Sequence, residues 1–379
     1  MTRKRMARIV GALLVVAFLA LGATGWYYAG EIKEGALIVE HGPSEPDLTV
    51  AALSAGQVTL AVNDRTDLIY GRWKSDGVYG IEWDGGYAQT GRIIEISADQ
   101  VTRELTPVRG QLTVGMAVHM EEFAFDGDPH QAYGAPFEDV TITSEFGDFD
   151  AWLVDGDDPT WVIFTHGRGA TREESHRMFR TISDLGLTSL AITYRNDEGA
   201  PESDSGFYDY GLTEWVDLEA AVQYAVDHGA EDVVLAGYSL GAGIVMNFLY
   251  ESDLADEVVA VIVDSPMLDF SDVITFGGER RGLPSLLTNT GKFVGGLRFG
   301  IDWEALDYVA RADELDVPFL VFHGDNDRLI HQRSSQRFAD ARPDLVTFVS
   351  VAGAGHVRSW NDDHARYEAA VVDFLEDLH

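Results

Sequence analysis

Three residues far apart in the chain have the types that acyl transfer requires: Ser239, Asp327 and His356. A serine hydroxyl is a weak nucleophile until a base takes its proton, and histidine is the side chain that titrates where such a base must work. A carboxylate that accepts the other imidazole N–H fixes the tautomer and stabilises the imidazolium. Ser239 stands in Gly237-Tyr238-Ser239-Leu240-Gly241, behind the apolar run 233–236 and ahead of a helix-forming stretch at 244–250. Glycines two residues either side of a serine, between strand and helix, make a nucleophile elbow. The turn places the serine at a helix N-terminus, where free N–H groups favour developing negative charge.

The partners follow in the order Ser, Asp, His. His323-Gly324-Asp325-Asn326-Asp327 leaves an apolar strand in a polar turn, with Asp327 as the acid and Asp325 as the fallback. His356 closes the glycine-rich turn Ala352-Gly353-Ala354-Gly355-His356 after the last apolar run. The tetrahedral oxyanion needs two fixed donors. Leu240 N–H follows the nucleophile directly, and Arg168 N–H lies in His166-Gly167-Arg168-Gly169, the loop after strand 161–165. His166 itself, at a strand end, reads as a loop-fixing residue rather than a base. Tyr194-Arg195-Asn196-Asp197 leaves another strand at its carboxyl end, the edge where open α/β sheets bind ligands. Arg195, Asn196 and Tyr238 are therefore candidate substrate-binding residues, loop anchoring being the other reading of the Arg195-Asn196 stretch.

These residues imply an alternating strand and helix framework from about residue 134, and so a largely parallel sheet covered on both faces. An antiparallel pair at 139–143 and 149–154 leads it. Strands follow at 161–165, 189–194, 233–238, 258–263, 319–322 and 346–351, with helices near 174–185, 214–227 and 363–378. Residues 267–302, between two core strands, are too long for a bare loop and are expected to form a mobile helical cap. Phe276, Leu283, Leu286, Leu287, Phe293 and Leu297 would pack that cap or line an acyl site.

His166-Gly167, Gly237-Tyr238-Ser239-Leu240-Gly241, His323-Gly324-x-x-Asp327 and Gly355-His356 together resemble the α/β-hydrolase superfamily, especially bacterial membrane-anchored or exported serine hydrolases. The resemblance covers about residues 134–379. It implies an α/β-hydrolase fold with a mostly parallel eight-stranded sheet, helices on both faces and a small helical cap. It also implies nucleophile, acid and base roles for Ser239, Asp327 and His356, with no metal or organic cofactor required. It implies nothing for residues 31–133.

Those residues read as a β-rich accessory module. Segments 57–62, 68–73, 80–83 and 91–96 are short, β-branched and aromatic, and Asp84-Gly85-Gly86 suits a hairpin turn. The module is expected to be a spacer or one wall of a substrate site, with His119 and His130 as ordinary packing or surface residues. Ahead of it, Arg3, Lys4, Arg5 and Arg8 precede 22 uncharged residues, 9–30. That stretch can cross a bilayer with its basic end in the cytoplasm and Trp26, Tyr27 and Tyr28 at the outer interface. A cleavable signal peptide, with small residues near Ala20-Leu21-Gly22, is the rival reading. In either case the rest of the chain is expected outside the cytoplasm.

The 379 residues hold 63 acidic against 27 basic side chains, a formal charge of −36, which argues against nucleic acid as a partner. Only four of the basic residues are lysines, and the carboxylate-rich surface suits high salt or simple solubility outside the cell. Without cysteine there are no disulfides, thiol catalysis or thiolate metal sites. The chemistry read from the chain is cleavage of a small-molecule or lipid-like ester, or of a thioester or amide, through an acyl-enzyme. A peptidase or acyltransferase on the same fold is an alternative, as is a surface protein that binds without turnover.

Overall fold

A computed structural model describes the chain except residues 1, 2, 43, 67–70 and 379, and the side chains of 3, 6 and 7. Helix α1 (Arg3–Ile32) is the one helix among the described residues long and apolar enough to cross a membrane. From Ile9 to Ala20 its apolar side chains are exposed on all sides, with Leu13, Leu14, Phe18 and Leu19 each more than 60% accessible, while Ala29 and Ile32 at its far end are buried. A wide π-type turn, Lys33–Leu37, leads out of it.

Six antiparallel strands then close into a small barrel: β1 (Leu48–Ser54), β2 (Gln57–Val62), β3 (Tyr79–Trp83), β4 (Gly86–Ile96), β5 (Gln100–Arg109) and β6 (Ala117–Glu121), in the spatial order β1-β2-β5-β4-β3-β6. Closure removes the open edges of so short a sheet. Trp83 pairs with Gly86 across the expected turn, and Gly85 takes the left-handed φ of 77° that this turn needs. The strand expected at 68–73 falls partly outside the described residues; Arg72–Lys74 form a single 3-10 turn with Trp73 buried in the barrel. Arg103 is wholly buried there. Its guanidinium donates to the carbonyls of Gly91, Ser75 and Gly77 at 3.1, 2.7 and 2.9 Å, which compensates the cost of burying a charge.

After the single turn α2 (Pro129–Tyr133), the main sheet begins with the hairpin β7 (Glu138–Ser144) and β8 (Gly147–Val154). It continues through β9 (Asp158–Thr165), α3 (His176–Asp184), β10 (Leu187–Ile192), α4 (Trp215–Asp227), β11 (Asp232–Tyr238), α5 (Leu240–Glu251) and β12 (Val258–Asp264). With β13 (Phe319–Gly324) and β14 (Val346–Val351) from later in the chain, the order across the eight strands is β14-β13-β12-β11-β9-β10-β8-β7, with β8 alone running against the others. Two apolar layers cover the sheet. One is built on Leu218, Val222, Ile244 and Phe248 beneath α4 and α5, the other on Phe179, Ile182, Tyr367 and Val371 beneath α3 and the C-terminal helix. Strands buried on both faces read as near-continuous apolar runs, which is why 233–236 and 319–322 were legible.

The cap consists of two helices, α6 (Phe270–Arg280) and α7 (Ser285–Phe299). The last layer is β13 (Phe319–Gly324), α8 (Arg333–Ala341), β14 (Val346–Val351), the short α9 (Ser359–Asp362) and α10 (His364–Glu376). Cap packing holds for only some of the residues expected to provide it. Leu286, Phe293 and Leu297 are 61, 66 and 74% exposed, because the inner face of α7 is spent against α1 and Trp303.

Candidate active site

Ser239 sits in the turn between β11 and α5 at φ 50° and ψ −110°, a conformation costly for any residue but glycine. The neighbouring glycines make the turn possible. A Cβ on Gly241 would lie 2.1 Å from the Thr165 carbonyl oxygen, and one on Gly237 would lie 2.8 Å from the Ala242 backbone. The chain around the serine is tied down: Ser239 N–H donates to Asp264 O, and its own carbonyl accepts Met267 N–H.

His356 Nε2 lies 2.9 Å from Ser239 Oγ, and His356 Nδ1 lies 2.7 Å from Asp327 Oδ2. Asp327 is buried, and its Oδ1 accepts the N–H groups of Leu329 and Ile330 at 2.7 and 2.9 Å. Burial would raise its pKa, but His356 and the buried His323, 3.2 Å away, outweigh this and hold the carboxyl well below the usual range. The imidazole of His356 responds in the opposite sense. Burial favours its neutral form, yet the Asp327 charge wins and its pKa is raised above 6.5. The fallback acid, Asp325, is exposed and accepts Gly353 N–H at 2.7 Å, bracing the His356 loop from outside.

The His166-Gly167-Arg168 loop runs directly past the serine, since a Cβ on Gly167 would be 3.2 Å from Ser239 Cβ. Gly167 N–H is spent on Glu174 Oε2 at 2.7 Å. The next N–H along, Arg168, and that of Leu240 have no protein hydrogen-bond partner among the described residues. Glu174 is a residue the sequence did not flag. It is buried, pairs with Arg177 at 3.0 Å and sets the path of this loop. An i, i+3 Glu-Arg pair is ordinary on a helix surface, so only its burial distinguishes it.

His166 takes no part in the serine cluster. Its Nε2 lies 2.8 Å from Asp197 and its Nδ1 2.9 Å from Gly167 O, and its ring stacks on Tyr194. Burial opposes the cation, but Asp197 outweighs it and the pKa is raised.

The residues considered for substrate binding lie elsewhere. The Arg195 guanidinium makes a buried two-point pair with Asp217 at 2.7 and 2.8 Å. Asn196, at φ 73°, donates to Phe207 O and accepts Ser203 N–H, and so ties its own loop. Tyr238 is buried against Arg177. None of the three lines the cavity over Ser239. The 194–197 stretch does leave β10 at its carboxyl end, but its Arg195 and Asn196 side chains turn onto partners of their own, and the Tyr238 ring is buried with its hydroxyl unpaired.

That cavity has a volume of about 700 Å³ and is walled from four directions. Arg168 and His356 come from loops at the ends of the sheet strands, Leu283 and Thr288 from the cap, Glu122 and Phe123 from just after the barrel, and Tyr28, Glu31 and Ile32 from α1. The wall after the barrel is one of the two roles the sequence left open for residues 31–133, whereas the wall from α1 had no sequence signal, because that segment's pattern carries no chemistry.

A family model described as "Alpha/beta hydrolase family" matches residues 162–371, more than half of the chain. The chain belongs to the alpha/beta hydrolase family. A second model, a domain of unknown function, matches residues 49–121 of this hydrolase, nearly the whole barrel. The hydrolase is 25% identical over 233 residues to a monoacylglycerol lipase of Mycolicibacterium smegmatis, spanning 51% of this chain and 79% of that one. Its fold is also that of an esterase from Pyrococcus furiosus. Two crystal forms align with TM-scores of 0.52 and 0.53 at 20 and 22% identity, covering 66 and 67% of this chain and 94% of the esterase.

Proposed function

We propose that this protein is a serine hydrolase that cleaves carboxylic esters through an acyl-enzyme. The observation that carries the reading is the placement of one imidazole between Ser239 Oγ and Asp327 Oδ2, at 2.9 and 2.7 Å. Ser239 Oγ attacks the ester carbonyl carbon while His356 Nε2 takes its proton. The carbonyl oxygen becomes an oxyanion held by the N–H groups of Arg168 and Leu240, at the N-terminus of α5. The imidazolium returns its proton to the leaving alkoxide as the C–O bond breaks. A water molecule, deprotonated by the same imidazole, then releases the acid and restores Ser239. Asp327 stabilises the imidazolium and holds the tautomer that presents Nε2 to the serine. The lipase and esterase relatives support an ester, rather than an amide, as the substrate.

Helix α1 is proposed to anchor the protein in the cell membrane, the basic residues of its first turns inside and residues 33–379 outside. The test is Ser239→Ala in the full-length chain. Turnover of a short p-nitrophenyl ester and labelling by a fluorophosphonate are both expected to disappear; if either persists, the assignment is wrong.

A further inference from the structure

α7 leaves Leu286, Phe293 and Leu297 in solvent, at intervals of seven and four residues and therefore on one helical face. An adjacent face of the same helix packs along the outer end of α1. Gly25 approaches Thr290 and Val294, Gly291 approaches Tyr28, and Arg298 Nη1 donates to Trp26 O at 2.9 Å with its guanidinium 3.5 Å from the indole ring centre. The uncharged stretch 9–30 is about 33 Å long as a helix, close to the roughly 30 Å of bilayer hydrocarbon. Residues 25–32 therefore lie where α1 leaves the bilayer, and the exposed face of α7 lies beside them at the same depth.

Charge points the same way. From Arg280 to Ile301 the chain carries Arg280, Arg281, Lys292 and Arg298 and no acidic residue, in a protein whose net charge is −36. A locally basic, apolar-faced helix on so acidic a body suits an anionic lipid surface. Tyr28, Glu31 and Ile32 of α1 share the cavity over Ser239 with Leu283 and Thr288 of the cap, so the junction of α1 and α7 borders both bilayer and site.

We propose that the exposed face of α7 rests on the anionic lipid bilayer and that the cavity takes long-chain acyl esters directly from that layer, past the junction of α1 and α7. The substrate class, though not the bilayer contact, rests on the ester-hydrolase reading above. The membrane helix is then one wall of the substrate site as well as a tether.

Because the chain has no cysteine, Phe293→Cys in the full-length protein accepts a single nitroxide label. In vesicles of equal phosphatidylcholine and phosphatidylglycerol, the label is expected to be protected from a water-soluble relaxation agent and accessible to oxygen. A fully water-accessible label overturns the bilayer contact whether or not the protein is an esterase. The second arm compares wild type with Leu286→Gln/Phe293→Gln/Leu297→Gln. Hydrolysis of a fluorogenic long-chain monoacyl ester in the same vesicles should fall about tenfold, while a short soluble ester and fluorophosphonate labelling stay at wild-type level. Equal rates on the vesicle substrate overturn delivery from the bilayer. Absence of soluble-ester turnover and of labelling in wild type overturns the esterase reading and with it the substrate class, leaving the nitroxide result to decide the contact.

Discussion

Asn361 and Val78 are joined in both directions: Val78 N–H donates to Asn361 O at 3.0 Å, and the Asn361 side-chain amide donates to Val78 O at 2.7 Å. The same amide reaches Glu122 O at 2.7 Å, and its oxygen accepts from Arg177 Nη1 at 3.2 Å. Arg177 also binds the carbonyl of Val357, next to His356. The barrel is thereby seated on the segment that carries the proposed base, which argues against a mere spacer. Asn361→Ala leaves two carbonyls without these donors and is expected to cost about 2–3 kcal/mol. Urea unfolding should register that loss, and turnover of a soluble ester should fall with it.

Asp327 and Asp325 are two residues apart, but only Asp327 meets the histidine. Asp327→Asn is expected to lower kcat on the order of 10³–10⁴-fold, because an amide oxygen lacks the charge that stabilises the imidazolium. Asp325→Asn should stay within a few fold of wild type. Steady-state kinetics on one p-nitrophenyl ester decides between them.

The raised pKa of His356 sets the pH dependence. The base must be neutral to accept the serine proton, so kcat/KM is expected to fall as pH drops, with a midpoint above 6.5. Removing the Asp327 charge should move the midpoint of any residual activity downward. A profile with its acid limb below 6 would contradict the arrangement.

Stability should follow pH in the opposite direction. Burial pushes Glu121 up from 4.5 to about 8, and Glu173 and Asp362 up to about 7. A carboxyl with a raised native pKa favours the fold fully below its unfolded value, and that contribution is lost as pH rises through the native one. The melting temperature is therefore expected to be higher near pH 5 than near pH 9, with a shallower dependence in Glu121→Gln. Calorimetry across that range would measure both.

Gly241→Ala tests the elbow by sterics alone. Its methyl carbon would lie 2.1 Å from the Thr165 carbonyl oxygen, so β9 and α5 must separate for it to fit. Fluorophosphonate labelling is expected to be lost even in protein that remains folded by circular dichroism.

The order Ser239, Asp327, His356 and the strands that carry them were legible in the sequence because each is a local signal. Buried parallel strands are apolar runs, and a serine at φ 50° needs glycines around it. The barrel was legible only as β-rich. Closure depends on β1 meeting β6 across about seventy residues, and no local pattern encodes that pairing. Arg195 and Asn196 mark the limit of position along a strand as a guide, since which way a side chain turns depends on partners such as Asp217 and Phe207 that come from elsewhere in the chain. The walls of the cavity were likewise a tertiary outcome. α1, the segment after the barrel and the cap converge over Ser239 only because each packs on a distant partner: Thr290 beside Gly25, and Val78 against Asn361. Chemistry at a turn is written in neighbouring residues, whereas the surface a substrate meets is made where separate elements bury their faces against one another.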